Sequence, residues 1–243
     1  MKTFIVLFFF LPTFIFASET KQSQLASEFS SPVTTKAKYV FWTGASITLA
    51  LTLLEDSIDD PLQYDISEDK PLGNYSHLGY LMGQMIPNAI YILGMYGNYQ
   101  LTNNQQSKDR SILMTKTSLY STVVTTALKY TVREQRPNGE GRVSFPSGHT
   151  SAAFSFASVV GAEHDLIYSI PAYVMATFIG MSRMNDNAHY LHDVTAGATI
   201  GISYGLGLYY HSKSHKESEM SSFWQVLPTD NLDGAMGIWS KLF

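Results

Sequence analysis

The sequence predicts an all-α fold, and three observations predict it. Six apolar or amphipathic segments have helical length. No stretch of that region alternates apolar and polar residues long enough to make strands. The composition is that of a chain with a real core: 45% of the 243 residues are hydrophobic and only 15% are charged, well under the roughly 25% of an average soluble domain.

The six segments come in order. Ala37–Leu54 is apolar apart from Lys38. Gly79–Tyr96 is uncharged but holds Gln84, Pro87 and Asn88. Ser111–Tyr130 is apolar on one side and carries Ser, Thr and Lys116 on the other. Thr150–Ala162 follows a Pro-Ser-Gly turn, and Leu166–Ser182 and Val194–Tyr210 complete the set. Between them, Glu55–His77, rich in acids, and Asn98–Arg110 read as polar connections. The predicted architecture is a six-helix bundle over residues 37–216.

The ends differ from this body. Met1-Lys2 followed by an apolar run to Phe16 and a small Ala17 has the pattern of a secretory signal, since the run is shorter than the roughly 20 residues of a membrane span. The alternative is an uncleaved anchor. Residues 18–36, rich in Ser, Thr, Gln and Glu, read as an exposed lead-in. In the tail, 217–243, Phe223–Leu227 and Ala235–Phe243 flank a Pro-, Asp- and Gly-containing turn, a pattern for a β-hairpin. One hairpin cannot close an outer-membrane barrel.

Composition excludes several functions. There is no cysteine, hence no disulfide, zinc–cysteine site, iron–sulfur cluster or thiol catalysis. A net charge of −4 lacks the basic surplus of a nucleic-acid binder, so no nucleic-acid partner is expected.

Three clusters carry the chemistry. Lys129 and Arg136-Pro137 close one helix. Pro146-Ser147-Gly148-His149 opens the next. Ser182-Arg183, His189 and Asp193 follow. Arg presents a fork of donors that matches phosphate oxygens, and Lys adds a compact charge. A helix start at Ser147-Gly148-His149 offers free backbone N–H groups to an anion, and Gly148 lets backbone approach closely. His189 and Asp193 are four apart, on one helical face. Asp193 can hold one imidazole nitrogen and leave the other free to attack.

The combined pattern Lys-x6-Arg-Pro, Pro-Ser-Gly-His, Ser-Arg-x5-His-x3-Asp resembles the signature of the type 2 phosphatidic acid phosphatase (PAP2) superfamily, which includes class A acid phosphatases and vanadium-dependent haloperoxidases. Every motif position matches. The resemblance implies an all-α PAP2/haloperoxidase-type bundle that cleaves phosphate esters without a metal or other cofactor. It implies that Lys129, Arg136 and Arg183 bind phosphate, with Ser147 and Gly148 adding hydrogen bonds. His189 would be the nucleophile, forming a phosphohistidine. Asp193 would orient it, and His149 would protonate the leaving oxygen and then activate water. Ser182 would only support. His192 reads as a packing or surface residue, His164 as solvated, and Arg133 and Glu134 as surface or loop residues.

Lys36, Lys38, Lys108, Arg110, Lys213 and Lys216 all fall where the positive-inside rule would put them on one side of a membrane, with the motifs on the other. A cleaved signal conflicts with that orientation if every segment spans, and a mean hydropathy of −0.02 is low for a polytopic protein. The expected function is a lipid-directed phosphatase of the cell envelope, membrane-associated, with its site facing the periplasm. The alternatives are a soluble periplasmic acid phosphatase acting on small phosphomonoesters, a haloperoxidase, and a non-catalytic envelope scaffold. Substrate identity and oligomeric state have no sequence signal.

Overall fold

Nine α-helices account for most of the residues described by the computed structural model, which cover the backbone of 21–222, 225–228 and 235–238 and the side chains of 23–216. They are α1 (Lys21–Thr34), α2 (Lys38–Leu53), α3 (Asp59–Asp69), α4 (Ser76–Met82), α5 (Ile86–Thr102), α6 (Gln105–Val132), α7 (Gly148–Glu163), α8 (Leu166–Asn185) and α9 (Leu191–Ser222). Short 3-10 turns occupy Glu55–Ser57 and Gly73–Tyr75. Strands β1 (Gln225–Pro228) and β2 (Ala235–Ile238) pair antiparallel, Gln225 opposite Ile238. The signal-like residues 1–17 lie outside the described residues.

Local chemistry sets the ends. Asn104 caps α6 by accepting from the Ser107 N–H at 3.2 Å, and Arg133 ends it in the left-handed region at φ 54°. The expected helix Gly79–Tyr96 is broken at residues 83–85. Met85 turns left-handed at φ 65° and Pro87 sits in the first turn of α5, where its missing N–H costs nothing.

The principal helices run up and down. Arg110 at the start of α6 pairs with Glu163 at the end of α7 at 3.0 Å. Lys216, late in α9, reaches Asp109, and Lys36 lies over the Tyr210 ring. The basic residues singled out for their membrane pattern thus gather at one end, and the three motifs meet at the other.

Close approach of α7 and α9 brings two motifs together. Gly197, Gly201 and Gly205 form a small-residue stripe on α9. A Cβ on Gly197 would lie 2.5 Å from the Ser147 carbonyl, and one on Gly201 would lie 2.5 Å from that of Ser151. Successive glycines meet successive turns of α7, so the two helices run parallel. Their N-termini sit side by side, tied by Ser147 N–H donating to the Asp193 carbonyl at 3.0 Å. Hydroxyls join α7 to α6 through Thr125–Ser151 and Ser155–Ser121. Leu113, Met114, Val159, Ile200, Tyr204 and Leu208 form the main apolar cluster beside this polar seam.

Several expectations need correction. Nine helices, not six, fill the described residues. Of the expected exposed lead-in 18–36, the described part is not exposed throughout: α1 buries Glu28 and Ser31, because Glu28 accepts from Lys116 at 2.6 Å and from the Tyr120 hydroxyl at 3.0 Å. Glu55–His77 is not a plain connection but carries α3 and the start of α4, with Asp59 and Gln63 fully inside. The last helix, α9, runs on past 216 to Ser222. His164 is not merely solvated: its Nε2 lies 2.7 Å from the Tyr91 hydroxyl.

Candidate active site

Every predicted site residue lies at the end of a principal helix or in the loop that follows it. Lys129 is in the last turn of α6, and Arg136 is in the loop beyond it. Ser147 caps α7, whose first two residues are Gly148 and His149. Arg183 ends α8, and Asp193 is in the first turn of α9. His189 is in the loop between these two helices. The loops are laced together: Asn138 N–H donates to the Asn187 carbonyl at 3.0 Å, and Ser144 N–H to the Glu134 carbonyl at 3.0 Å. Phe145–Pro146 is cis.

His189 and Asp193 meet, although not on one helical face: His189 lies in the loop before α9 and only Asp193 is helical. Nδ1 of His189 lies 3.3 Å from Asp193 Oδ2. The same oxygen accepts from the Ser144 hydroxyl at 2.6 Å and the Tyr190 N–H at 3.0 Å. Burial alone would raise the Asp193 pKa, but its bonds to His189 and Ser144 and the charge of His192 hold it below the ordinary carboxylate range. An ionised Asp193 accepts only, so the His189 proton belongs on Nδ1 and Nε2 keeps its lone pair. Burial, reinforced by Lys129 and Arg136, lowers the His189 pKa against the pull of Asp193 and keeps the ring neutral.

The cations are only partly satisfied. Lys129 donates to the Val143 and Ser144 carbonyls at 2.5 and 3.2 Å, and burial lowers its pKa to about 8. Arg183 pairs with Asp186 at 2.8 Å, yet its Nε, Arg136 Nε and His149 Nε2 are buried with no hydrogen-bond partner among the described residues. Burial lowers the His149 pKa to about 4, helped first by the charge of Arg183 and then by those of Lys129 and Arg136. Three cationic groups therefore bear on one imidazole. This is the environment of an anion site.

The Ser147 side chain is spent partly on the helix. It accepts from the Thr150 N–H at 3.4 Å and the Thr150 hydroxyl at 2.9 Å, leaving its own proton free to donate. At Gly148 an added Cβ would meet only ordinary contacts at 3.8 Å or more. The protein's own packing thus does not require glycine there.

A family profile fits this geometry: that of the PAP2 superfamily matches residues 78–216, more than half of the chain. The chain belongs to the PAP2 superfamily. Among curated proteins it is similar to a "Lipid A 1-phosphatase" of Porphyromonas gingivalis, 40% identical over 80 residues, which are 32% of this chain and 18% of that one. It also resembles a PA-phosphatase related-family protein of Dictyostelium discoideum, 28% identical over 106 residues and 37% of either chain. The match thus spans well under half of these relatives' length. Of solved structures, Aquifex aeolicus LpxE superposes with a TM-score of 0.51 at 26% identity, over 63% of this chain and 96% of that one. A transmembrane PAP2-type phosphatidylglycerolphosphate phosphatase from Bacillus subtilis superposes with a TM-score of 0.53 at 20% identity, over 77% and 96%, and shares the fold. No helix among the described residues of this PAP2 chain is long and apolar enough to cross a membrane.

Two groups of residues around the site were not legible in the motifs. Tyr80 of α4 stacks on His149 with ring centroids 5.1 Å apart, and the Arg183 guanidinium lies 5.3 Å from the same ring. Behind His149, Gly83 leaves no room: a Cβ there would be 2.6 Å from the imidazole. The second group is Asp59, Glu134 and His192. Glu134 and His192 were expected at the surface or in plain packing. Instead His192 is fully buried, with Nδ1 against Asp59 and Nε2 3.0 Å from Glu134. No signal in the single sequence marks Tyr80 or Asp59.

Proposed function

We propose that this PAP2 protein is a phosphatase of the cell envelope that hydrolyses the phosphate of a lipid through a phosphohistidine. The observation that carries the reading is the His189–Asp193 pair at 3.3 Å set beside three buried, unpartnered nitrogens of Arg136, Arg183 and His149.

The chemistry follows from the groups. The phosphate oxygens take hydrogen bonds from Lys129, Arg136 and Arg183, with the Ser147 hydroxyl and the free amides at the start of α7 completing the cradle. His189 Nε2 attacks phosphorus and the ester P–O bond breaks. Protonated His149 gives its proton to the leaving oxygen. In the free protein His149 is neutral near pH 7. A phosphate dianion placed against it offsets the surrounding cations and raises its pKa into the working range. Water then attacks phosphorus, giving a proton to His149; the P–N bond breaks, its electron pair returns to His189 Nε2, and phosphate leaves. Three cationic side chains carry the charge stabilisation, so no metal is assigned a role.

Two features support a lipid substrate. The similar Porphyromonas protein is named for lipid A phosphate, and the Bacillus one, which shares the fold, for phosphatidylglycerolphosphate. Large apolar side chains are exposed along whole helices: Ile90 and Leu93 on α5, Leu119 and Val123 on α6, and Ile170 and Val174 on α8. Such surface marks contact with a membrane or another protein. The signal-like residues 1–17 fit export, which would put the site in the periplasm.

The test is phosphate release in EDTA from a lipid A 1-phosphate in detergent and from p-nitrophenyl phosphate, wild type against His189→Ala. Loss of a nucleophile costs about 10⁴-fold or more. Lipid turnover that falls by this much in the variant supports the reading. Faster turnover of the soluble ester moves the assignment to a broad-specificity phosphatase. Release that does not depend on His189 overturns it.

A further inference from the structure

Three buried ionisable groups have no part in the mechanism above, and they come from three separate parts of the chain. Asp59 opens α3 and is fully buried. Its Oδ1 accepts from the Leu191 N–H at 2.9 Å, and its Oδ2 from the His192 N–H at 3.1 Å and from His192 Nδ1. The amides of Leu191 and His192 are the first two of α9, which a helix cannot satisfy internally. Asp193 reaches back to the Tyr190 amide at 3.0 Å, as the third residue of a capping box does. A remote carboxylate and a local one therefore cap the helix that carries Asp193.

The His192 ring carries the connection onward. It lies between Tyr190, stacked at 5.4 Å, and Phe145, stacked at 5.9 Å. Its Nε2 is 3.0 Å from Glu134 Oε1 and 3.6 Å from Asp193 Oδ1, an oxygen with no hydrogen-bond partner among the described residues. Carboxylates on both nitrogens require both protons, hence an imidazolium. Burial opposes that charge, but the hydrogen bonds to Asp59 and Glu134 outweigh it and raise the pKa to about 11. The same α3 holds the other side of the loop: Gln63 Nε2 donates to the Met184 carbonyl at 2.9 Å and to Asn187 Oδ1 at 3.0 Å.

We propose that Asp59 is a positioning residue for phosphoryl transfer: the Asp59–His192–Glu134 chain fixes the first turn of α9, so that Asp193 stays ionised and His189 is held with Nε2 toward the phosphate. The proposal rests on the phosphatase reading for its kinetics but not for its geometry. A helix start needs only a neutral cap such as Ser or Asn. A buried charged pair is costly unless its charge is used. Here the imidazolium is the one cation beside Asp193 Oδ1 among the described residues, and it acts on the carboxylate that sets the His189 tautomer.

The experiment compares wild type with Asp59→Asn and His192→Gln, each checked for helical content, and with His189→Ala. Asp59→Asn keeps a cap acceptor and removes the charge. The expected result is a kcat lowered about 10- to 100-fold with KM within about two-fold. The imidazole ¹⁵N signals of His189, recorded without substrate, should shift from a single Nδ1–H tautomer to a mixture. A merely structural role would lower thermal stability while leaving the kcat of folded protein and these signals unchanged. That result overturns the proposal. So does a kcat that EDTA abolishes and zinc restores, which would make Glu134, His192 and Asp193 ligands of a metal ion. If wild type releases no phosphate at all, the functional reading falls, and the ¹⁵N signals still decide the role of Asp59.

Discussion

At the end of the bundle away from the site, the charges close on one another. Arg110 holds Glu163 through both its carboxylate and its carbonyl, Lys216 reaches Asp109, and Lys116 is bound to the buried Glu28 of α1. At the site end, Arg183 has one carboxylate, Lys129 has only carbonyls, and Arg136 Nε has no partner. Both ends bury charge, so burial does not tell them apart. What differs is completion at the motif cations, since His192 beside them is fully paired with Asp59 and Glu134. A cation that already has its anion holds helices together, and one left short has binding capacity to spend on a ligand.

The comparison breaks most sharply at Arg136. Removing a donor aimed at developing phosphate charge costs about 10²- to 10³-fold in kcat. Arg136→Ala should therefore lose activity on that scale. It should also gain or keep thermal stability, because the Nε is buried with no hydrogen-bond partner among the described residues. Steady-state kinetics and a melting curve on the same sample check both halves. A strongly destabilised variant would instead place Arg136 among the scaffold charges.

Tyr80 gives a finer test within the site. Its ring packs on His149 and under Arg183, so it holds the proposed general acid. General acid help matters only where the leaving group is poor, and is worth about 10²- to 10⁴-fold. Tyr80→Leu should cut turnover of an alkyl phosphate by about ten-fold or more. With p-nitrophenyl phosphate the loss should be slight, since that leaving group needs little help. Equal losses on both substrates would show that Tyr80 acts on the whole cradle.

The Lys129 ammonium adds a pH signature. Burial is the main cause of its lowered pKa, Arg136 reinforces it, and Asp193 and Glu134 oppose it. A lowered lysine pKa means the proton is lost as pH rises through about 8, not near 10.5, its value in solution. Phosphate binding by the free enzyme should weaken above that point. The kcat/KM profile should therefore have an alkaline limb near pH 8, and Lys129→Arg, charged throughout, should abolish it. A limb that survives the substitution belongs to another group.

The motif residues were legible because their spacing is local. A four-residue spacing across the start of α9 brings His189, in the preceding loop, to Asp193, and a helix start puts Ser147, Gly148 and His149 at an open end. The up-down pattern of principal helices was legible for the same reason, as apolar length. The rest depends on partners distant in sequence. Glu55–His77 reads as a polar connection, since a buried acid and a solvated one have the same composition. Only the fold brings Asp59 to the amides of residues 191 and 192. His192 stands next to Asp193 in sequence, yet its ring comes within 3.6 Å of Asp193 Oδ1. The space it points into holds Asp59 and Glu134 rather than water. In α1, Ser and Gln residues look exposed until Glu28 finds Lys116.

The smallest effect belongs to the remote end. Arg110 and Glu163 are each about one-fifth exposed, at 19%, so solvent screens the pair, and its loss in Arg110→Ala should cost about 1 kcal/mol with the carbonyl bond included. For a chain of this size that is a fall of roughly 2–4 °C in Tm. Catalysis should be unchanged within about two-fold, because no group at the site touches this pair and charges this far apart are screened. A kcat that fell with the melting point would mean that α6 and α7 transmit strain along their length to Lys129 and Ser147. The division between a closed end that holds and an open end that binds would then fail.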